Sequence, residues 1–440
     1  MDSETIKKAM DLIELTNENI CDHCLGRKFS DKIEAENNQE RGKILRKEIA
    51  ISNNSSNLEK YEKYGKDRKY EKYEKCPICE DILLKIDENL KNEAILEKII
   101  AKIEYLDLEF NNFLLGSKIP KEMLQKDEDL NNELDLDVEN IKKEINREIG
   151  KLLEKKLQKE VEFENPDIVI MVDLNNILKT NPNPIDEVKV RIQINPIFIE
   201  GRYLKLIRGI PQTKWPCRKC KGRGCKDCND TGKMYEESVE ELISEIVLKN
   251  SYGRSAKFHG AGREDIDVRM LGTGRPFVLE IKEPKVRNLN LEKIAIEVNE
   301  HSAGKTQYND LKFTYRNRKA EIKVSSPDTY KTYRALVECD QEVEEDKLEK
   351  LQTLNIIKQQ TPQRVAHRRA DKIRTREVKN ISTNLIDSKT FELIIKTQGG
   401  LYIKELISSD DGRSKPSVSE LLELKAICKE LDVIEVGNDR

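Results

Sequence analysis

The sequence lacks long apolar runs, an excess of charge of one sign and a secretory signal. No apolar run approaches the roughly 18 residues of a membrane helix, which argues against a transmembrane protein. The 79 basic residues nearly balance the 82 acidic ones, so overall charge identifies no partner, and any nucleic-acid surface must be local. Residues 1–4 are polar and acidic, unlike a secretory signal. We therefore expect a cytoplasmic protein with no membrane partner.

Cysteine is unevenly distributed along the chain. Eight of the ten cysteines form four CxxC pairs, which in a reducing compartment indicate zinc ligands and not disulfides. The first two pairs lie about fifty residues apart and suggest one split site. The last two lie within twelve residues and suggest a closed structural site with no open position for catalytic water. The predicted ligands are Cys21, Cys24, Cys76 and Cys79, and then Cys217, Cys220, Cys225 and Cys228.

At 440 residues the chain is too long for one core. Hydrophobic periodicity predicts helices and strands in separate runs, hence an α+β class. Strands are expected at residues 167–173, 188–194, 197–206, 278–284, 291–298, 321–324, 330–339 and 391–397. Helices are expected at residues 3–19, 238–248, 401–408 and 418–424, with two or more in 81–160. Domain boundaries are placed at residues 1–80 (zinc region with a charged insertion at 53–75), 81–212, 213–235 (zinc ribbon) and 236–440.

One stretch combines a turn with an aspartate between arginines. Gly262 permits a tight turn, and Ile266, Val268 and Met270 then alternate with charged residues as in a half-buried strand. A carboxylate at such a junction can be held ionised and aimed into a cleft, which makes Asp265 a catalytic candidate. The simpler interpretation is an ion-paired sheet edge.

Residues 361–379 form a local basic segment, here called the basic arm. It holds seven Lys or Arg residues against two acidic ones. Clustered arginines suit phosphate binding, although a solvated helix face is the alternative. The predicted RNA-binding residues are Arg364, His367, Arg368, Arg369, Arg374 and Arg376.

Three motifs, in order, resemble those of pseudouridine synthases. Gly262-Arg263-Glu264-Asp265 resembles the motif of the catalytic aspartate. Lys331-Thr332-Tyr333 resembles the strand whose tyrosine stacks on the target base. The segment at 400–406, with Tyr402 and Lys404, resembles the one whose basic residue pairs with that aspartate. The resemblance implies that Asp265 is catalytic and that Tyr333, Tyr402 and Lys404 bind substrate.

Longer strings narrow the resemblance to the archaeal and eukaryotic synthases that modify tRNA positions 54 and 55. They are the CxxCLGR sequence at 21–27, the Gly-Arg-Pro-Phe sequence at 274–277 and the Gln-Thr-Pro-Gln-Arg-Val sequence at 360–365. The layout of helices and strands before residue 212 also resembles a THUMP domain, an RNA-binding module. The resemblance implies a THUMP-like domain, then a catalytic domain with a mainly antiparallel sheet. It implies tRNA as partner and no cofactor in the chemistry, with structural zinc expected.

Several alternatives remain open at this stage. Asp267 is a rival nucleophile, because residues two apart on a strand share a face. A non-catalytic zinc protein that binds tRNA would use the same basic arm without needing Asp265. A methyltransferase or thiolating enzyme should carry a longer glycine-rich loop than Gly272-Thr273-Gly274. No protein partner is evident, and we expect a monomer.

Overall fold

The computed structural model describes residues 2–52, 74–91, 93–178, 187–324 and 329–437, except for the side chains of Val324 and Arg368. Most of the predicted charged insertion lies outside these residues. The chain divides into two compact units, Met1–Asn195 (unit 1) and Pro196–Arg440 (unit 2). In the described ranges, no helix has the length and hydrophobicity that a bilayer crossing requires.

Unit 1 combines helices with a four-stranded sheet. Its elements are α1 (Ser3–Leu15), α2 (Asp22–Lys28), α3 (Asn38–Ser52), α4 (Ile82–Lys91), α5 (Ala94–Leu106), β1 (Asn112–Lys118), α6 (Lys121–Glu133), α7 (Ile141–Leu157), β2 (Glu160–Val161), β3 (Ile168–Asp173) and β4 (Lys189–Ile194). The strand order is β2-β1-β3-β4, with β3 and β4 antiparallel. Alternate residues of β3, from Ile168 to Val172, are fully buried, as expected of a strand with one face in a core.

Unit 2 is built on a larger sheet. Its elements are β5 (Ile197–Lys205), α8 (Val239–Ser251), β6 (Ser255–Gly260), β7 (Val268–Lys282), α9 (Leu291–His301), β8 (Thr306–Thr314), α10 (Arg318–Val324), β9 (Tyr330–Cys339), α11 (Glu345–Glu349), β10 (Ile356–Gln360), β11 (Ile373–Asp387), β12 (Thr390–Gln398), α12 (Ile403–Ser408), β13 (Ser414–Lys415), α13 (Val418–Leu422) and β14 (Ala426–Val436). Ser238 caps α8 by accepting a hydrogen bond from the Glu241 amide.

The sheet of unit 2 brings distant parts of the chain together. Its order is β13-β10-β11-β12-β9-β14-β7-β5-β8, with β6 paired to β7. Among the described strands of this sheet, β7 and β14 run parallel and the other pairs are antiparallel. The predicted α+β class and mainly antiparallel sheet are therefore confirmed. Phe258 and Phe277 stack in its core with ring centroids 4.9 Å apart.

Two predicted strands are helices. Residues 291–298 lie in α9, where the Asn290 side chain accepts a hydrogen bond from the Lys293 amide and starts the helix. Ile294 and Val298 are buried at helical spacing, which the apparent alternation of apolar residues concealed. Residues 321–324 lie in α10, so that prediction is also wrong.

The strand predicted at 197–206 belongs to unit 2, whereas the sequence-based boundaries grouped it with residues 81–212. As β5, it pairs with β7 and β8. The division of the chain after Asn195 therefore precedes the sequence-based boundary at residue 212. Short-range patterns identified the strand, but its partners are more than 60 residues away along the chain.

Candidate active site

Asp265 lies in a turn between β6 and β7. Gly262 has a φ of +85°, a conformation that favours glycine. Strand β7 begins at Val268, so the predicted strand starts later than its alternating pattern suggested. The Asp265 carbonyl accepts a turn hydrogen bond from the Val268 amide at 3.1 Å, and the Ile266 carbonyl accepts one from the Gly209 amide at 3.0 Å, so neither carbonyl pairs with a neighbouring strand.

A buried polar cluster supports this turn. The fully buried Lys205 donates to the carbonyls of Asp265 and Ile266 at 3.0 and 3.1 Å. Burial lowers the pKa of Lys205 to about 8. Glu264 turns inward, where it forms a 2.9 Å ion pair with Arg275 and accepts hydrogen bonds from the Tyr203 hydroxyl at 2.9 and 2.8 Å. The carboxylate next to Asp265 is thus part of the scaffold.

The turn opens onto a cavity of about 530 Å³, within the usual range for ligand sites. Asp265, Tyr333, Tyr402 and Lys404 all line it, as does Asp267. These residues come from the turn, from β9 and from the start of α12. The structure therefore brings together the four residues that the three motifs predicted, although they are up to 139 positions apart in the sequence.

Two cations contact the two aspartates. Arg364 lies 3.0 Å from Oδ2 of Asp265, whereas Lys404 lies 3.8 Å from the same atom. Lys404 instead donates to both carboxylate oxygens of Asp267, at 2.8 and 2.6 Å. Burial raises the pKa of Asp267, but the hydrogen bonds and the charge of Lys404, together with a backbone hydrogen bond and the charge of Arg364, leave that pKa below its ordinary value. The expected pairing of Lys404 with Asp265 is thus the weaker of its two contacts.

The two tyrosines are held differently. Tyr333 projects from β9, where burial raises its pKa. The backbone of Tyr402 is fixed by Gln359, which donates to its carbonyl at 3.0 Å and accepts from its amide at 2.8 Å. The Tyr402 hydroxyl accepts a hydrogen bond from Arg369 at 2.9 Å. Both rings line the same cavity.

The basic arm contributes to the cavity only in part. Arg364 and Arg369 line it, whereas His367, Arg374 and Arg376 are not among its described lining residues. Arg374 donates to the Thr361 hydroxyl at 3.0 Å and Arg376 to the Thr375 carbonyl at 2.9 Å. The side chain of Arg368 lies outside the described residues. The arm begins as a 3-10 turn at Gln363–Arg368 and continues into β11, so it is not a continuous helix face.

The first cysteine group is buried in unit 1 and has the geometry of a metal site. The Sγ atoms of its four cysteines all lie within 4.8 Å of one another, and those of Cys21 and Cys79 are 3.6 Å apart. Tetrahedral zinc with Zn–S bonds of about 2.3 Å would place sulfurs about 3.8 Å apart. The Cys24 amide donates to Cys21 Sγ at 3.4 Å, which favours a thiolate. These residues fit zinc.

The second cysteine group lies on the loop between β5 and α8. Its Sγ atoms also lie within 4.8 Å of one another, and the amides of Gly224 and Gly232 donate to Cys220 and Cys228. This group also fits zinc. Just before it, Trp215 lines the active-site cavity, and the Arg263 guanidinium lies 5.0 Å from its ring centroid.

Sequence reasoning missed the buried charged residues that contact the Asp265 turn or line the cavity beside it. Lys205, Glu264 and Arg275 have at most 7% of their surface exposed. Lys331 also lines the cavity, and burial lowers its pKa to about 7. In the sequence, each of these residues was visible only as a charged residue within an apolar strand or next to Asp265. Such a charge can face solvent or the interior, and the sequence does not distinguish the two.

Comparison with known proteins places the chain among the pseudouridine synthases. The family described as "Pus10, C-terminal" matches residues 198–437, and the family described as "Pus10 THUMP domain, archaeal" matches residues 95–173. The chain therefore belongs to the Pus10 family, whose members are isomerases that convert uridine to pseudouridine.

Curated relatives cover nearly the whole chain. A "tRNA pseudouridine synthase Pus10" of Methanothermobacter marburgensis is 48% identical over 97% of this chain and 97% of its own length. The proteins of the same name from Methanosphaera stadtmanae and Methanocaldococcus jannaschii are 48% and 47% identical, over 82% and 83% of this chain and 88% and 76% of their own lengths. The predicted family and the predicted THUMP domain are thus confirmed.

Proposed function

We propose that this chain isomerises uridines 54 and 55 in the T-loop of tRNA, without a cofactor, and that Asp265 is the nucleophile. The names of its relatives support tRNA as the substrate. The observation that carries the proposal is that Asp265, Tyr333, Tyr402 and Lys404 line one cavity although they come from separate elements. That cavity is of ordinary ligand-site size.

The reaction requires the target uridine to leave its stack and enter the cavity. Asp265 then acts on the ribose–uracil unit, either by attack at C1′ or by removal of a ribose proton. The N1–C1′ bond breaks, the uracil turns, and a C5–C1′ bond forms. After attack at C1′, this new bond displaces the carboxylate from C1′; after proton removal, the carboxyl group returns the proton to the ribose. The proton on C5 leaves and N1 takes up a proton, so no atom is gained or lost. Tyr333 stacks on the base and Tyr402 bounds the cavity.

Asp265 is the better nucleophile candidate than Asp267. The Asp267 side chain is 66% exposed, and Lys404 engages both of its oxygens. The Asp265 side chain is only 35% exposed, so it is the better shielded of the two carboxylates. A carboxylate with less water around it is the better nucleophile.

We propose that the basic arm binds tRNA phosphates through His367, Arg368, Arg369, Arg374 and Arg376. The sequence alone also placed Arg364 in this group. Both cysteine groups hold structural zinc, and the protein acts as a cytoplasmic monomer. Mass spectrometry of the native protein should therefore find two zinc ions per chain and the mass of one chain. A single zinc ion or a dimer mass would contradict the corresponding part.

The proposal is tested on an unmodified tRNA transcript. After incubation with the protein, pseudouridine is mapped by carbodiimide treatment and reverse transcription. We expect stops in the T-loop with the wild type, none with Asp265→Ala, and stops again with Asp267→Ala. Turnover by Asp265→Ala with loss in Asp267→Ala would reverse the two assignments. Absence of stops together with tight, salt-dependent binding would favour the non-catalytic tRNA-binding protein.

A further inference from the structure

Arg364 belongs to the basic arm, but its guanidinium lies between two carboxylates. Its Nη1 is 3.0 Å from Oδ2 of Asp265, and its Nε donates to Oε1 of Glu405 at 2.5 Å. The Glu405 side chain is 6% exposed and sits in α12, whereas Asp265 sits in the turn before β7. One planar side chain therefore links the arm, the turn and the helix that follows Tyr402.

The surroundings of Arg364 hold the guanidinium in this place. Its Cζ atom lies 5.9 Å from the ring centroid of Tyr402, which permits a cation–π contact. Burial lowers the pKa of Arg364, but the hydrogen bonds to Glu405 and Asp265 and the charges of both carboxylates together outweigh burial and raise that pKa above its ordinary value. Arginine suits such a bridge because its rigid fork presents several donors in one plane, which a lysine cannot do.

Lys404 does not duplicate this contact. Its amine binds both oxygens of Asp267 within 2.8 Å and reaches Asp265 only at 3.8 Å. Among the described residues, Asp265 forms ion pairs with Arg364 and Lys404, and that with Arg364 is the shorter. The motif lysine thus serves the neighbouring aspartate, and a residue of the arm takes the place beside Asp265.

We propose that Arg364 is a positioning residue for Asp265 and not a phosphate contact of the basic arm. It fixes the direction of the Asp265 carboxylate, with Glu405 as its anchor. This inference rests on the proposed role of Asp265 as nucleophile. Because a displacement of about 1 Å at a reacting group can cost about 100-fold in rate, loss of Arg364 should act on kcat.

The test compares Arg364→Ala and Arg364→Lys with Arg376→Ala in the full-length protein. Arg376 belongs to the same arm, but its side chain contacts a backbone carbonyl and neither carboxylate. We expect Arg364→Ala to lower kcat about 100-fold on the tRNA transcript. Its Kd for tRNA and the salt dependence of that Kd should stay at the wild-type values. Arg364→Lys should fall between, because an amine retains the charge but cannot bridge both carboxylates.

Arg376→Ala should show the opposite pattern. Its Kd should rise, and the slope of log Kd against log salt concentration should fall by about 0.9, as for one lost phosphate contact. If Arg364→Ala behaves like Arg376→Ala, with kcat retained, Arg364 is a phosphate contact and the inference is wrong.

Asp265→Ala separates failure of the inference from failure of the proposed function. Turnover by Asp265→Ala in the same assay would overturn the proposed role of Asp265 as nucleophile, whereas an inactive Asp265→Ala beside a normal kcat in Arg364→Ala would overturn only the inference. If Arg364→Ala melts early, Arg364→Lys and Glu405→Gln carry the test. Both should lower kcat at an unchanged salt slope, and a wild-type kcat in both would overturn the inference.

Discussion

Each unit buries an arginine beside carboxylates, yet the two arginines support different structures. In unit 1, the fully buried Arg27 contacts Glu144 at 2.6 Å and Asp127 at 2.7 Å, and it also donates to Sγ of Cys24 at 3.6 Å. It thereby ties α2 to α6 and α7 beside the first cysteine group. In unit 2, Arg275 is 2% exposed and pairs with Glu264 in the turn that carries Asp265.

The difference shows that a buried arginine is not by itself a sign of catalysis. The contacts of Arg27 connect α2, α6 and α7 with the first cysteine group. The network of Arg275 lies directly behind a residue that lines the active-site cavity. Loss of the first should therefore change stability, and loss of the second should change turnover. Three measurements examine this contrast.

The largest effect is expected from Arg27→Met. The change leaves Asp127 and Glu144 with less compensation in the interior, and breaking a buried pair costs about 3–5 kcal/mol. Amide hydrogen exchange in α7 should become faster by the corresponding factor, while exchange in β7 stays unchanged.

A control for this variant lies on α7 itself. Arg147 pairs with Glu139 at 2.8 Å, but its side chain is 32% exposed. Arg147→Ala should therefore change the free energy of unfolding by less than about 1 kcal/mol. Equal exchange rates in the Arg27 and Arg147 variants would remove the distinction drawn for unit 1.

The intermediate effect is expected from Glu264→Gln. The amide keeps the shape of the side chain but cannot neutralise Arg275, so the turn carrying Asp265 should move. We expect kcat to fall about tenfold or more, with KM within about threefold of wild type. Steady-state kinetics on the tRNA transcript measures both.

Glu280→Gln is the matched control for Glu264→Gln. Glu280 lies on β7 and pairs with His259 of β6 and Lys319 of α10, but it is not among the described residues that line the cavity. Its kcat should stay near the wild-type value. A loss confined to KM in Glu264→Gln, or an equal fall of kcat in both variants, would contradict a positioning role of the buried carboxylate.

The third effect is expected from pH. Burial holds the pKa of Lys331 at about 7 in the folded protein, against an ordinary value of 10.5. Between these values the unfolded chain binds more protons at this residue, so its contribution to stability rises with pH. The free energy of unfolding of the wild type should therefore increase relative to Lys331→Met from pH 7 towards pH 10, as urea titrations at several pH values would show. Parallel curves would contradict the low pKa.

The sequence predicted the motif residues that line the cavity better than the buried charged residues that hold the Asp265 turn. Asp265, Tyr333, Tyr402 and Lys404 were predicted because each lies in a short motif, and the structure places all four around one cavity. Arg364 was predicted to bind phosphate, because a basic cluster does not reveal that Asp265 and Glu405 flank one member. That arrangement depends on contacts across 41 and 99 positions of the chain.

Secondary structure was predicted well where the apolar residues fit either the period of a strand or that of a helix, but not both. The continuous apolar run at 167–173 and the alternation at 330–339 became β3 and β9. Residues 291–298 were misread because Leu291, Ile294 and Val298 fit a helix, while the residues between them mimic a strand. Only the cap at Asn290 distinguishes the two, and a cap is a local hydrogen bond that composition does not show.

Strand β5 sets a limit on how the protein can be shortened. It lies between β7 and β8 in the sheet and carries Tyr203 and Lys205. A fragment that begins at residue 236, after the second cysteine group, would leave β7 and β8 with unpaired edges, which promote aggregation. It would also lose the amine that fixes the Asp265 turn. A fragment that begins at Pro196 would keep both, and with them the means to study catalysis apart from unit 1.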